Sequence, residues 1–140
     1  MVTTFPKYMV KRLVPEDAVK LVGDEIQVTI VNVLATIPFD RMPENFIKSI
    51  VVKVDNEVVA SADKPDLISR TKLTIKGKTF QFDKINGVEI GELPPGESMI
   101  VAIPNVKGFK KGETHAFEVT MQYRPKKHDL LTIAFERKIN

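Results

Sequence analysis

Residues 46–59 read Phe-Ile-Lys-Ser-Ile-Val-Val-Lys-Val-Asp-Asn-Glu-Val-Val, and residues 73–82 read Leu-Thr-Ile-Lys-Gly-Lys-Thr-Phe-Gln-Phe. In the first stretch Ile50, Val52 and Val54 share one face of an extended chain, with Ser49, Lys53 and Asp55 on the other. A period of two marks a half-buried strand, because side chains alternate faces along it. Asp55 and Asn56 tolerate left-handed backbone, and Val58-Val59 begins a return strand, so a hairpin is predicted. The second stretch repeats the device. Leu73 and Ile75 point one way, Lys76-Gly77 turns, and Phe80 and Phe82 come back on the same side. Gly77 suits a two-residue loop that needs positive φ.

Working outward, the same logic covers most of the chain. Phe5 to Val14, with Tyr8, Met9, Val10 and Leu13, predicts a short edge strand that Pro15-Glu16-Asp17 breaks. Val19 to Leu21 is a weak apolar patch before a Gly23-Asp24 turn. Glu25 to Ile37 is rich in Val and Ile and predicts one long strand. Its alternation blurs after Ile30, which fits a central strand covered on both faces or one re-aimed by a bulge. Asp83 to Gly91 reads as a connector, and Pro-Gly at 95–96 as the centre of a type II turn. Met99, Val101 and Ile103 share a face of the next strand. Phe117, Val119, Met121 and Tyr123 share a face of the one after, opposite Glu118, Thr120, Gln122 and Arg124. Pro125 stops that strand, and Leu131, Ile133 and Phe135 alternate in the last. About eight short strands with turns between them and no helix predict an all-β fold, a single-domain antiparallel β-sandwich over residues 1–140.

Composition narrows the functions open to such a chain. At 140 residues it is long enough for a core without metal or disulfide staples. It has no Cys, hence no disulfide framework, thiolate metal site or cysteine nucleophile. No apolar run is long enough to span a bilayer, and the opening Met-Val-Thr-Thr-Phe-Pro-Lys lacks a signal-peptide pattern, so a cytoplasmic protein is expected, with no membrane partner. The net charge of +3, from 21 basic and 18 acidic residues, is too small an excess to indicate nucleic-acid binding.

Catalytic patterns are absent at the level of sequence. His115 and His128 have no metal-ligand spacing around them and read as surface residues. No Gly-x-Ser-x-Gly elbow and no glycine-rich phosphate loop occurs. The acids fall in turns (Asp55, Asp83, Glu97, Glu113) or at outward positions (Glu118, Glu136), where solvation is the default. No catalytic residue, metal ligand or cofactor is expected in this chain.

Two segments are better suited to recognition. Ile37-Pro38-Phe39-Asp40-Arg41-Met42-Pro43 holds two prolines and so is a loop, yet it carries Phe39, Arg41 and Met42, residue types favoured at the core of interfaces. Two alternatives are open: these side chains face a partner, or Phe39 and Met42 tuck under the sandwich. The basic edge from Arg124 through Lys126 to His128 offers a polar rim. Phe39, Arg41, Met42, Arg124, Lys126 and His128 are therefore the candidate partner-binding residues.

Several segments, in order, resemble the small β subunits of bacterial C-glycoside deglycosidases. Ile37 to Pro43 is similar to that family's Pro-aromatic-x-Arg-x-Pro loop, and Ile47 to Val59 to its Ile-x-x-Ile-x-Val-Lys-Val-Asp-x-Glu-x-Val. Leu73 to Phe80 resembles its Phe-Thr-Val-x-Gly-Arg-Thr-Tyr hairpin. Lys110 to His115 and Val119 to Arg124 resemble its Pro-Gly-Glu-His turn and the strand that follows. The chain departs from the family in having no Trp near Asn86-Gly87, and in carrying Lys107-Gly108-Phe109 where a glycine pair stands. The resemblance implies a hetero-oligomer with a TIM-barrel α subunit holding a divalent metal, usually manganese. That barrel carries a lyase-type reaction, cleaving the C–C bond between a 3-oxo sugar and an aromatic aglycone such as a flavonoid. The β subunit is then a non-catalytic accessory that binds the barrel and builds the oligomer. The competing expectation is a free-standing carbohydrate-binding sandwich, which the lack of Trp and the presence of only two Tyr argue against.

Overall fold

The computed structural model describes residues 2–33, 35–41, 49–61, 63–85, 87–124 and 129–140. Two five-stranded sheets face each other. The first holds, in spatial order, β1 (Val2–Thr4), β12 (Asp129–Lys138), β11 (Thr114–Arg124), β5 (Val51–Val54) and β6 (Glu57–Ala60). The second holds β2 (Val19–Val22), β3 (Glu25–Val31), β10 (Ser98–Pro104), β7 (Lys72–Ile75) and β8 (Lys78–Gln81). Pairing within both sheets is antiparallel except for β1 on β12. The expected all-β antiparallel sandwich is the fold observed.

Both central hairpins form where the alternation places them. Asp55 and Asn56 take φ of 51° and 68°, and Lys76 and Gly77 take 53° and 76°. Positive φ at both central residues is the turn whose twist matches that of the flanking strands. Across β7 and β8 the hydroxyls of Thr74 and Thr79 lie 2.9 Å apart on the outer face.

The main core lies between the sheets. Val52, Val54, Phe117, Ile133 and Phe135 come from the first sheet, and Val19, Ile26, Val28, Ile30 and Ile103 from the second. Phe117 and Phe135, paired across β11 and β12, stack with ring centroids 5.3 Å apart. A second cluster gathers Phe39, Ile68, Leu73, Ile75, Phe82, Ile90 and Leu93 beneath the connector segments.

Three expectations require correction. Residues 7–13 form a helix, α1 (Lys7–Leu13), in place of an edge strand. Val10 and Leu13 are three apart and both buried, with Met9 partly buried against the same core, so the apolar residues follow the helical period. Lys11 and Arg12 lie in its last turn, where cations favour the dipole. The helix packs against β3 and β12, and the Arg137 guanidinium donates to the carbonyls of Val14 and Pro15 at 2.6 and 3.2 Å. The strand from Glu25 stops at Val31 instead of running to Ile37. Up to Val31 its burial alternates strictly; beyond it Asn32 is buried, and its amide donates to the carbonyls of Ala35 (3.1 Å) and Leu93 (2.9 Å), folding the chain over. Finally, the connector from Asp83 is not irregular throughout, since short helical turns occupy Phe82–Lys84 and Gly87–Ile90.

The chain closes one side of the sandwich through its last residues. Ile139 is fully buried, and Asn140 exchanges backbone hydrogen bonds with β2, donating to Val19 and accepting from Leu21. The residues that follow β12 of the first sheet thus tie onto β2, the edge strand of the second.

Candidate functional site

The Ile37–Arg41 segment is built on a small sheet of its own. β4 (Ile37–Pro38) pairs with β9 (Glu92–Leu93), and Pro38 takes the edge position a proline tolerates. Phe39–Arg41 then makes a 3₁₀ turn, held by the Asp40 N–H donating to the Gly91 carbonyl at 3.2 Å. This turn sends its residues in opposite directions. Phe39 is 6% exposed and sinks into the second cluster against Ile90, Leu93 and Phe82. Of the two alternatives open for Phe39, the inward one holds. Arg41 points out, with 77% of its side chain exposed and a 3.9 Å ion pair to Glu92. Of the two described candidates of this loop, Arg41 is therefore the one whose side chain can reach another molecule without unfolding this one. Met42 lies outside the described residues.

At the other candidate edge, Arg124 ends β11, and its backbone stands opposite that of Asp129 in the β11–β12 register. The register shifts between Gln122 and Arg124, so a bulge falls at Tyr123 and re-aims the end of the strand. Lys126 and His128 lie outside the described residues.

A charged cluster that the sequence leaves scattered is assembled by the fold. His115, Asp55 and Glu113 meet where β11 begins beside the β5–β6 turn. The imidazole Nδ1 is 2.6 Å from Asp55 Oδ2 and Nε2 is 3.1 Å from Glu113 Oε1. Both ring nitrogens facing carboxylates is an arrangement satisfied in full by the imidazolium, which donates from each. Asp55 also accepts the Ala116 N–H at 3.0 Å, and Glu113 accepts the Lys110 N–H at 2.8 Å. The ring of Phe109 covers His115, with centroids 4.1 Å apart. Partial burial pulls the His115 pKa down, but the hydrogen bonds and charges of Asp55 and Glu113 outweigh it, and the net direction is up. Asp55 is held below its ordinary range by the Ala116 N–H and then by His115. Glu113 is lowered by the Lys110 N–H and then by His115. The expectation of His115 as a plain surface side chain is corrected: 14% of it is exposed. The sequence signal was slight, a Glu two residues before a His, with Asp55 sixty residues away.

What this cluster can do chemically is limited. Its carboxylates bond to the histidine and to backbone N–H groups, which makes it a clamp on two turns. Among the described residues no group of three or more His, Asp or Glu is arranged to hold a metal ion. Among them, too, no helix is long and apolar enough to cross a membrane. No protein-family model matches the chain, and no curated protein matches it.

Proposed function

We propose that this chain is the accessory β subunit of a C-glycoside-cleaving hetero-oligomer, docking on a metal-dependent TIM-barrel subunit that breaks the C–C bond between a 3-oxo sugar and an aromatic aglycone. Manganese or a similar divalent ion belongs to the barrel, and this chain contributes no catalytic group. The observation that carries the proposal is the ordered series of resembling segments, Ile37–Pro43, Ile47–Val59, Leu73–Phe80, Lys110–His115 and Val119–Arg124. In the fold, the described parts of these segments are β4 with its 3₁₀ turn, the β5–β6 and β7–β8 hairpins, and the turn and strand leading through β11. The proposed docking surface combines the exposed Arg41, as an arginine anchor, with the basic Arg124–His128 segment as a polar rim.

The test is native mass and activity. The chain is expressed alone and with a candidate TIM-barrel, isomerase-like protein, then assayed on a 3-oxo C-glucoside with manganese. A stable complex that is active only when both chains are present supports the proposal. A monodisperse lone sandwich that ignores the barrel overturns it and directs attention to glycan screens, the assay for the carbohydrate-binding alternative.

A further inference from the structure

Four strands lose burial in the same direction along their inward faces. On β11 Phe117 is buried, whereas Val119 and Met121 on the same face are half-buried. On β12 Phe135 and Ile133 are buried and Leu131 is half-buried; on β10 Ile103 is buried, and Val101 and Met99 are half-buried. Val54 and Val52 of β5 are buried, and Ile50 just before them is half-buried. Cross-strand register sets Leu131 beside Met121, and Val119 beside Val52. The incomplete burial is thus one gap shared by both sheets, and not four unrelated surface positions.

That gap is a cavity of about 220 Å³, walled by Ile50, Met99, Val101, Val119, Met121 and Leu131 above a floor of Phe117, Phe135 and Ile103. Among its described lining residues Asn32 is the polar one, and its amide is turned to the Ala35 and Leu93 carbonyls. Close-packed interiors hold few voids larger than a water molecule. Water gains little here, because it needs two to four polar partners to occupy a cavity. A cavity of about 150 Å³ with comparable walls stays dry and takes up benzene. Met99 and Met121, unbranched and polarizable, can adjust the wall to a guest.

We propose that this cavity is a binding site for a small uncharged apolar molecule, one or two rings in size or an alkyl chain of equal bulk, held by shape and desolvation with no hydrogen bond from the walls. It is independent of the partner role proposed above. The test uses the full chain labelled with ¹³C at methionine methyls and titrated separately with naphthalene and with n-octane. Saturable shifts of the Met99 and Met121 methyls are expected, with Met9, which does not line the cavity, unmoved. A response to naphthalene alone assigns a planar guest, and a response to octane alone assigns an alkyl chain. Val119→Phe and Val101→Phe fill the space from opposite sheets, and each is expected to weaken binding about tenfold or more. Absence of saturable shifts with both compounds overturns the site, as does undiminished binding in a folded filled variant. Should neither variant fold, the wild-type titration decides.

Discussion

The Nδ1 of His115 lies 2.6 Å from the Oδ2 of Asp55, joining the first residues of β11 to the turn between β5 and β6. This contact makes stability depend on pH with a definite sign. The His115 pKa is raised on folding, so its contribution is fully present below the ordinary histidine value of about 6.5 and is lost as pH rises through the folded value. Asp55 is lowered, so its contribution is present above its ordinary value of about 3.9 and is lost as pH falls through the folded value. Glu113 is lowered too, so the clamp is complete from its ordinary value of 4.5 up to the ordinary histidine value. His115→Gln should destabilise the protein by about 1 kcal/mol near pH 5.5 and by less at pH 8.5, allowing for the half-exposed Asp55. Urea titrations at both pH values check this, and an equal loss at the two would contradict the charged clamp.

The two ends of the inward face of β11 should respond differently to truncation. Phe117 is 2% exposed and stacks on Phe135, so Phe117→Ala should cost about 3–5 kcal/mol. Val119→Ala, two residues on and facing the cavity, should cost about 1 kcal/mol, since part of its surface already lacks packing partners. Equilibrium unfolding of the two variants measures the contrast.

At Gly77, φ is +76° and, its own backbone and its two chain neighbours aside, no atom lies within 4 Å of where a Cβ would stand. Gly77→Ala should therefore lose about 1 kcal/mol to backbone strain alone. Asn56, at φ 68° in the other hairpin, already carries a side chain in this region, so Asn56→Gly should be stable to within about 0.5 kcal/mol of the parent. Thermal melts suffice for both.

Phe39 and Arg41 sit two residues apart and should fail in different ways. Phe39→Ala empties a site in the second cluster and should cost about 3 kcal/mol in the isolated chain, measured by denaturant. Arg41→Ala should leave stability unchanged to within about 0.5 kcal/mol, since its ion pair to Glu92 is long and exposed. On the proposed function, Arg41→Ala weakens association with the barrel subunit in native mass measurements. Unaltered association would remove Arg41 from the docking surface.

The β architecture was legible because it rests on local rules. Alternation marked Val52–Val54, Leu73–Ile75, Phe117–Met121 and Ile133–Phe135, and Asp55-Asn56 and Lys76-Gly77 marked the turns, since strand faces and left-handed backbone depend on near neighbours in the chain. Around Met9, Val10 and Leu13 the segment reads as an edge strand from its apolar content, although Lys11 and Arg12 interrupt the alternation and the burial follows the helical period. Packing against β3 and β12 settled it as α1.

Contacts distant in sequence obey no such rule. Asp55 and His115 are 60 residues apart, and Asn32 and Leu93 are 61 apart, so nothing near either residue announces its partner. Whether Phe39 faces in or out turned on Ile90 and Leu93, some fifty residues further on, offering it an apolar pocket. The cavity is more remote still from a linear reading. Met99, Val101, Val119 and Met121 have the same inward phase as their buried neighbours, and the sheet-to-sheet spacing leaves space between them. Periodicity assigns a side chain to a face; the distance across to the opposing face is a property of the assembled sandwich, because it depends on the summed shapes of side chains from both sheets.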